Sequence, residues 1–597
     1  MVEKEGYVIE NIYQGGYSSL APDYGSLFTG YRADAGTLGL STDPRTANII
    51  KEVSDKIAPG EKVIELSLIQ PDIFEVAIPH AKEINRISKL TGVDITVHGP
   101  LIDASGVTQQ GFDESQRELA ERKIMHYIEK SHEINPDGNI PVTFHTANLL
   151  RGAVYSKKDG VEKTELMPIM NQATGEITAV KPVVIYRPYS KGGEVKKEEY
   201  DVNKALDERN KTEWSDSLDR VEFNRESAER IMQEVAPAFV TRYIQYSLGQ
   251  INKNSVSSEE MQQFKKISSA QVYLNEAERT ANALFDRAYK YGSEEQKHIL
   301  KKIAKNFGEM VGIKDGEKRD PQRIFNPRIQ SDALFQLRSD LEKVPPELWK
   351  SAEKYALEKS HETFGNVAWQ SYKKFKDKAP IISIENPPAG FGLSRAEDVK
   401  NMVVGSREQF VKNAMQEGMG KKEAEREAEK IIGVTWDVGH INQLRQFGFT
   451  GKDIVKEAEK VAPLVKHIHL SDNFGMENTE LPMGMGNVDL KEVMEKLGKK
   501  GEKAKKIVEA AHWWIHQRTS PMGMTFEALG SPMYSTNEAP YWNQALGLQQ
   551  GYFGGLEGNW LPQGHYETFG GGFSNLPTDL GGQRAGGRSR MGGTPME

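Results

Sequence analysis

The sequence contains no cysteine among its 597 residues. This absence excludes disulfide bonds, thiolate zinc sites, iron–sulfur clusters and cysteine nucleophiles. A bound metal ion must therefore be held by histidine, aspartate, glutamate or backbone oxygen.

The chain also lacks an apolar run long enough to span a bilayer, and its first residues show neither a basic region nor an apolar core. We therefore expect a cytoplasmic protein with no membrane partner. There is no excess of basic residues either: 77 basic against 85 acidic side chains give a net charge of −8. This balance disfavours non-specific coating of nucleic acid but is compatible with a local basic groove.

Eight short runs rich in β-branched residues alternate with amphipathic helical stretches along much of the chain. Such an alternation predicts an α/β protein whose parallel strands close into a (β/α)8, or TIM, barrel with the helices outside. The predicted strands are 38–42, 62–68, 94–98, 141–145, 380–385, 432–437, 464–470 and 505–510.

The barrel pattern is interrupted once, after the fourth strand, by a segment with the periodicity of a β-hairpin and several helices. Without that segment the two barrel parts hold about 250 residues, the usual size of this fold. We expect the glycine- and aromatic-rich C-terminal tail to be partly disordered, with its aromatic part contacting its own chain or another subunit. The predicted segments are an N-terminal arm 1–36, barrel parts 37–150 and 379–513, the insertion 151–378 and the tail 514–597.

The third to eighth predicted strands each end on, or one residue after, a residue type that binds metal ions. The carboxyl ends of barrel strands converge on one face, where catalytic groups of this fold lie. The pattern therefore predicts a divalent-metal site, the alternative being solvated strand ends, where carboxylates are common. The six residues are His98, His145, Glu385, Asp437, His469 and Glu509.

Further polar side chains lie close to these strand ends. Side chains two apart on a strand share a face, and four of the six positions two before the candidate ligands are hydroxyl residues: Thr96, Thr143, Ser383 and Thr435. They either orient the ligands or reflect the strand propensity of threonine. His440 follows the sixth strand by one turn and is expected at the same mouth, whereas His467 is expected one layer below it. Asp472 either accepts from a ligand imidazole or caps its loop.

These segments resemble the xylose isomerase-like barrel superfamily, which contains endonuclease IV and many sugar isomerases and epimerases, and the resemblance is closest to endonuclease IV. It covers the barrel and not the insertion or the tail. The segments that carry it are His98-Gly99-Pro100, Phe144-His145-Thr146-Ala147, Glu385-Asn386-Pro387-Pro388, Asp437-Val438-Gly439-His440, His467-Ile468-His469-Leu470-Ser471-Asp472 and Val508-Glu509.

The resemblance implies up to three metal ions, zinc in first place with manganese or magnesium as alternatives. Glu385, Asp437, His469 and Glu509 look like the quartet that holds one ion, His98 and His145 like the pair that holds a second ion bridged by Glu385, and His440 like a ligand of a third. The third site departs from the family pattern, because Asn478 and Glu480 stand where an aspartate and a histidine are expected. Oxygen in place of imidazole favours harder ions, so Glu480 is the weakest of the eight candidate ligands.

Three functions remain open at this point. We predict an endonuclease IV-like phosphodiester hydrolase acting on abasic or damaged DNA, with Glu385 and Glu509 as catalytic residues, because a one-metal isomerase does not need His98 and His145. The alternative is a sugar or sugar-phosphate isomerase or epimerase, in which Glu385 and Glu509 move a proton next to one cation. The acidic charge and the altered third site favour that alternative. A non-catalytic binding or scaffold protein is the third possibility.

In each case the insertion follows His145, which makes it a candidate lid.

Overall fold

The computed structural model describes residues 35–43, 48–57, 61–68, 78–187, 195–314 and 318–510, together with a few isolated positions. The predicted arm and the predicted tail lie almost wholly outside these residues. The chain divides into two compact units, one formed by Met1–Lys163 with Glu353–Glu597 and the other by Thr164–Ala352.

Eight parallel strands in the first unit close into a barrel, which confirms the predicted (β/α)8 fold. Strand β1 pairs with both β2 and β8, so hydrogen bonding continues around the whole circumference. The strands are β1 (Leu38–Ser41), β2 (Val63–Ser67), β3 (Asp94–His98), β4 (Pro141–His145), β5 (Ile381–Glu385), β6 (Ile432–Asp437), β7 (Val465–Leu470) and β8 (Lys505–Val508).

The strands are apolar because helices cover the barrel outside and side chains fill it inside. Every residue of β2 and of β6 is buried. The helix Gly451–Val461 shows how the outer layer forms: Thr450 and Asp453 make a capping box, and Ile454, Ala458 and Val461 are buried on one face. The helices of this unit are Ile49–Ile57, Ile78–Thr91, Glu114–Ile134, Ala352–Phe375, Ala396–Gln416, Lys421–Ile431, Val438–Asn442, Gly451–Val461 and Leu490–Lys503.

The second unit has its own core and is mostly helical, as expected of the insertion. Trp214 and Leu274 are buried in this core, and the Trp214 indole donates to the backbone oxygen of Leu341 at 2.9 Å. The predicted hairpin turns at 171–175, between strands Val161–Asn171 and Ile177–Val180. The main helices are Val202–Gln233, Pro237–Ser247, Ser258–Tyr291, Glu294–Met310 and Pro327–Glu342, and the other strands are Val183–Arg187, Lys196–Tyr200 and Trp349–Ser351.

The helix Ala352–Phe375 belongs almost entirely to the barrel unit, although the sequence placed it in the insertion 151–378. It lies between β4 and β5 in the chain and is the helix that a (β/α)8 barrel needs there. Its Thr363 hydroxyl donates to the backbone oxygen of Ala104 at 2.8 Å, and Phe364 packs 6.4 Å from Phe144, measured between ring centres. Among the described helices, none is long and apolar enough to cross a membrane.

Glu353, at the start of this helix, carries a prediction about stability. Burial, with the nearby charge of Asp398, raises the pKa of Glu353 to about 7. A raised carboxyl pKa means that the folded protein binds the proton more tightly, so stability is lost as pH rises from the unfolded pKa towards 7. We expect Glu353→Gln to be more stable than the wild type by about 2 kcal/mol at pH 8, with no difference below pH 4. Urea unfolding at both pH values measures this, and equal stabilities at pH 8 would contradict it.

Candidate metal site

The structure brings all six predicted strand-end side chains together at the carboxyl mouth of the barrel. Three overlapping sets of these side chains have ligand atoms within 4.8 Å of one another, and one of them, His98 with His469 and Glu509, takes its members from both of the sites defined next. Site A consists of Glu385, Asp437, His469 and Glu509, and site B consists of His98, His145 and Glu385. Five of the side chains come from β3 to β7 and Glu509 from the residue after β8, so the closure of the barrel builds the site.

Glu385 belongs to both sites, and its two oxygens face different ones. Oε1 lies 2.7 Å from His469 Nδ1 in site A, whereas Oε2 lies 3.2 Å from His98 Nε2 and 3.3 Å from His145 Nε2 in site B. The carboxylate is fully buried, and no described residue makes a hydrogen bond of good geometry to Oε2. A buried carboxylate oxygen between two imidazole nitrogens is a set of donors that fits a divalent cation.

Backbone carbonyls orient the imidazoles that face the cavity. His98 Nδ1 lies 2.8 Å from the oxygen of Gly99, and His440 Nδ1 lies 2.9 Å from the oxygen of Asn386. A carbonyl can only accept, so each Nδ1 carries a proton and each Nε2 can offer a lone pair. Histidines that bind metal ions commonly have their second nitrogen held in this way.

Asp437 is held at the end of β6 by its role as a helix cap. Its Oδ1 accepts from the backbone N–H of His440 at 2.6 Å and from the Ser471 hydroxyl at 3.1 Å. The buried amide of Asn386 ties the ends of β5 and β6 together, because it accepts from the backbone N–H of Asp437 at 2.9 Å and donates to its carbonyl at 3.0 Å. These contacts fix the positions of the Glu385 and Asp437 carboxylates relative to each other.

The electrostatics of the cluster favour bound positive charge. Burial lowers the pKa of His98, but the carboxylates of Glu385, Glu509 and Glu65 together raise it by more, to about 9. The pKa of His469 is likewise raised well above its usual value, because the charges of Glu385, Glu509 and Glu65 together outweigh burial. Burial raises the pKa of Asp437 to about 6. In the absence of a cation, protons on the imidazoles therefore balance the charge of the carboxylates, and a cation has to displace these protons, so its affinity should rise with pH.

The residues of the predicted third site lie beside sites A and B. Asn478 Nδ2 lies 3.4 Å from His440 Nε2 and donates to Glu480 Oε1 at 3.1 Å. Glu480 has a left-handed φ of 44°, unusual for a residue with a side chain, and burial together with the charge of Glu509 raises its pKa to about 7. In the described part of the chain, neither His440 nor Glu480 joins a set of three ligand atoms within 4.8 Å.

The hydroxyl layer bonds mainly to itself and to one further carboxylate. Thr143 and Thr435 hydroxyls lie 2.9 Å apart, and Thr435 donates to Ser383 at 2.7 Å. Thr96 donates instead to Glu65 at 3.1 Å. The layer therefore lies beneath the candidate ligands without touching them. Asp472 accepts from backbone N–H groups, among them those of Gly484 and Val488, and so caps its loop.

Glu65, in the middle of β2, is a buried carboxylate beside the site that the sequence pattern did not single out. It lies on the layer below the candidate ligands and contacts His467 and His469. The available signal was a lone carboxylate inside the apolar run Val63–Leu68, where an unpaired charge is costly.

A cavity of about 290 Å³ opens above these residues. Leu101, Pro388 and Phe391 contribute apolar walls, and no lysine or arginine is among the described residues that line it. The polar lining comes from Ser41, Ser67, His98, His145, Asn148, His440, Asn478, Glu480 and Glu509.

Fold and site together define a (β/α)8 barrel with a buried histidine–carboxylate centre at its carboxyl mouth. No protein-family model matches the sequence. A stretch of 68 residues, 11% of the chain, is 32% identical to an uncharacterized protein of Methanocaldococcus jannaschii, and it spans 22% of that protein's length. A solved structure of a D-tagatose 3-epimerase-like protein is 12% identical, with a TM-score of 0.35 over 80% of this chain and 91% of the other. The barrel is therefore assigned from the pairing of the strands in this protein and not from these comparisons.

Proposed function

We propose that the protein is a hydrolase that uses two divalent cations and acts on phosphodiesters, with abasic or damaged DNA as the substrate in the manner of endonuclease IV. One observation carries the proposal: the two oxygens of Glu385 face two different sets of ligand atoms. Pairs of close cations bridged by a shared ligand are typical of enzymes that hydrolyse phosphate esters.

The donor atoms suit different ions in the two sites. Site B offers two imidazoles and one carboxylate, a combination that suits zinc. Site A offers three carboxylates and one imidazole, which also suits manganese or magnesium. Cations held there would lower the pKa of a water molecule and neutralise charge on the leaving oxygen.

The protein side chains then have distinct tasks. Glu385 holds the two sites in fixed relation, since it is fully buried between them. Glu509, whose side chain is 14% exposed, lines the cavity and is placed to orient a water molecule. His440, Asn478 and Glu480 line the same cavity and offer polar contacts to the substrate. The apolar wall at Leu101 and Phe391 is suited to an exposed sugar or base face.

Incubation of the purified protein with a labelled duplex that contains one abasic site tests this proposal. We expect metal-dependent cleavage next to the abasic site, no cleavage of the intact duplex, and loss of activity after chelation. An intact abasic duplex in the presence of protein shown to hold two cations would reject DNA as the substrate.

A sugar isomerase or epimerase is the second candidate, favoured by the small cavity and by the absence of cationic side chains from its described lining. A single cation in site A would hold adjacent sugar oxygens while Glu385 and Glu509 transfer a proton between carbons. Incubation with a panel of ketoses in deuterated water distinguishes the two candidates. Incorporation of deuterium at carbon supports the isomerase and argues against the hydrolase.

A further inference from the structure

Glu65 is a charged side chain inside the barrel, one layer below the side chains at the cavity mouth. It is fully buried, and its neighbours on β2 are apolar. Burial of a carboxylate is costly unless several donors satisfy it. Three donors surround Glu65 on the inside of the barrel: the Thr96 hydroxyl at 3.1 Å, His467 Nε2 at 3.0 Å and His469 Nε2 at 3.1 Å from the nearest oxygen.

His469 faces carboxylates on both sides of its ring. Its Nδ1 points into site A, 2.7 Å from Glu385 and 3.3 Å from Glu509. Its Nε2 points away from site A and spans the Glu65 carboxylate, 3.1 Å from Oε1 and 3.4 Å from Oε2. Only Nδ1 can therefore bind a cation in site A, and it can do so only after it has lost its proton.

His467 uses the same carboxylate. Its Nδ1 is buried without a hydrogen-bond partner among the described residues, so its single proton belongs on Nε2, where it is donated to Glu65. Glu65 thus accepts one N–H from His467 and has room for one more, from His469.

We propose that Glu65 is a positioning residue that holds the remaining proton of His469 on Nε2 and thereby keeps Nδ1 available to a cation in site A. The inference rests on the proposed metal-dependent function and adds a residue that no strand-end pattern contains. A carboxylate in this position also makes the imidazole a stronger donor to the metal. Loss of Glu65 should therefore weaken site A and leave site B unchanged.

Glu65→Gln tests the proposal with almost no change in volume. The amide has one acceptor oxygen, so it can accept a hydrogen bond from His467 or from His469. Its NH2 group then faces the N–H of the other histidine, and two donors cannot bond to each other. We expect the proton of His469 to move to Nδ1, beside Glu385, and the affinity of site A to fall by about 10- to 100-fold. Competition with a zinc chelator measures both sites, and we expect one weakened and one unaffected zinc ion per chain.

Thr96→Val is the matched control, because it removes a hydrogen bond to the same carboxylate without changing the acceptor of either imidazole. We expect both zinc affinities to stay within about threefold of the wild type, which is below the effect of a lost imidazole acceptor. Equal losses in Thr96→Val and Glu65→Gln would show that Glu65 acts only on packing and would overturn the proposal.

Nitrogen NMR of the zinc-loaded wild type, labelled at histidine, provides a readout that does not depend on any variant folding. We expect a slowly exchanging proton on Nε2 of His469 and the shift of a metal-bound nitrogen on Nδ1. Zinc on Nε2, or full retention of both zinc affinities in Glu65→Gln, rejects the role of Glu65 while the metal-dependent function stands. A wild type that binds no cation rejects both.

Discussion

Glu385→Gln should abolish hydrolysis and empty at least one of the two metal sites. The substitution removes the negative charge between the sites and replaces one ligand oxygen with an NH2 group, which cannot bind a cation. Whichever way the amide is oriented, either Oε1 beside His469 or Oε2 beside His98 and His145 is lost. Because each cation contributes several kcal/mol of stabilisation to the transition state, we expect a fall in turnover of at least about 10⁴-fold. Elemental analysis should find at most one ion per chain.

Glu353→Gln is the matched control for this experiment. Glu353 is another buried carboxylate of the barrel unit, and the raised pKa of about 7 means that it is already partly neutral near pH 7. The amide can keep the hydrogen bond accepted from the backbone N–H of Leu393. We expect this variant to bind metal and to turn over substrate as the wild type does. Retention of two ions by Glu385→Gln would disprove the bridging role.

The second large effect is expected from the two histidines of site B. His98→Ala or His145→Ala removes one of the two imidazoles beside Glu385 Oε2, so the metal content should fall from two ions per chain to one. One cation contributes several kcal/mol to the stabilisation of the transition state, so its loss should slow hydrolysis by about 10³-fold. An isomerase that depends on site A alone should keep most of its activity in the same variants.

His132→Asn is the control for the loss of an imidazole. His132 lies on the helix Glu114–Ile134, where its ring stacks on Phe375 at 3.9 Å between ring centres, and it is not part of the metal-ligand sets. We expect it to keep both ions. Full metal content and full activity in both His98→Ala and His145→Ala would mean that site B has no part in the reaction.

The sequence predicted the barrel and the cluster of strand-end side chains because both follow from local patterns. Buried parallel strands appear in the sequence as short apolar runs. Once the barrel closes, the last residue of each run lies at the carboxyl mouth of the barrel. His98, Glu385 and His469 meet for this reason, although they are far apart in the chain. The pattern does not depend on side-chain conformation.

Glu65 and the hydroxyl layer could not be assigned in the same way. Glu65 lies in mid-strand, and its partners on β7 are separated from it by about four hundred residues, so the pairing exists only across the closed barrel. The hydroxyls of Thr143 and Thr435 were candidates to orient ligands, but side-chain rotation turns them towards each other. The helix Ala352–Phe375 was placed in the insertion because an amphipathic helix has the same pattern in either unit.

Anomalous diffraction from crystals of the native protein tests the bridged pair of cations most directly. We predict two anomalous peaks per chain, one next to each oxygen of Glu385, with His98 and His145 around one and Asp437, His469 and Glu509 around the other. A single peak, or none at Glu385 in crystals of protein that hydrolyses the abasic duplex, would contradict the two-cation site.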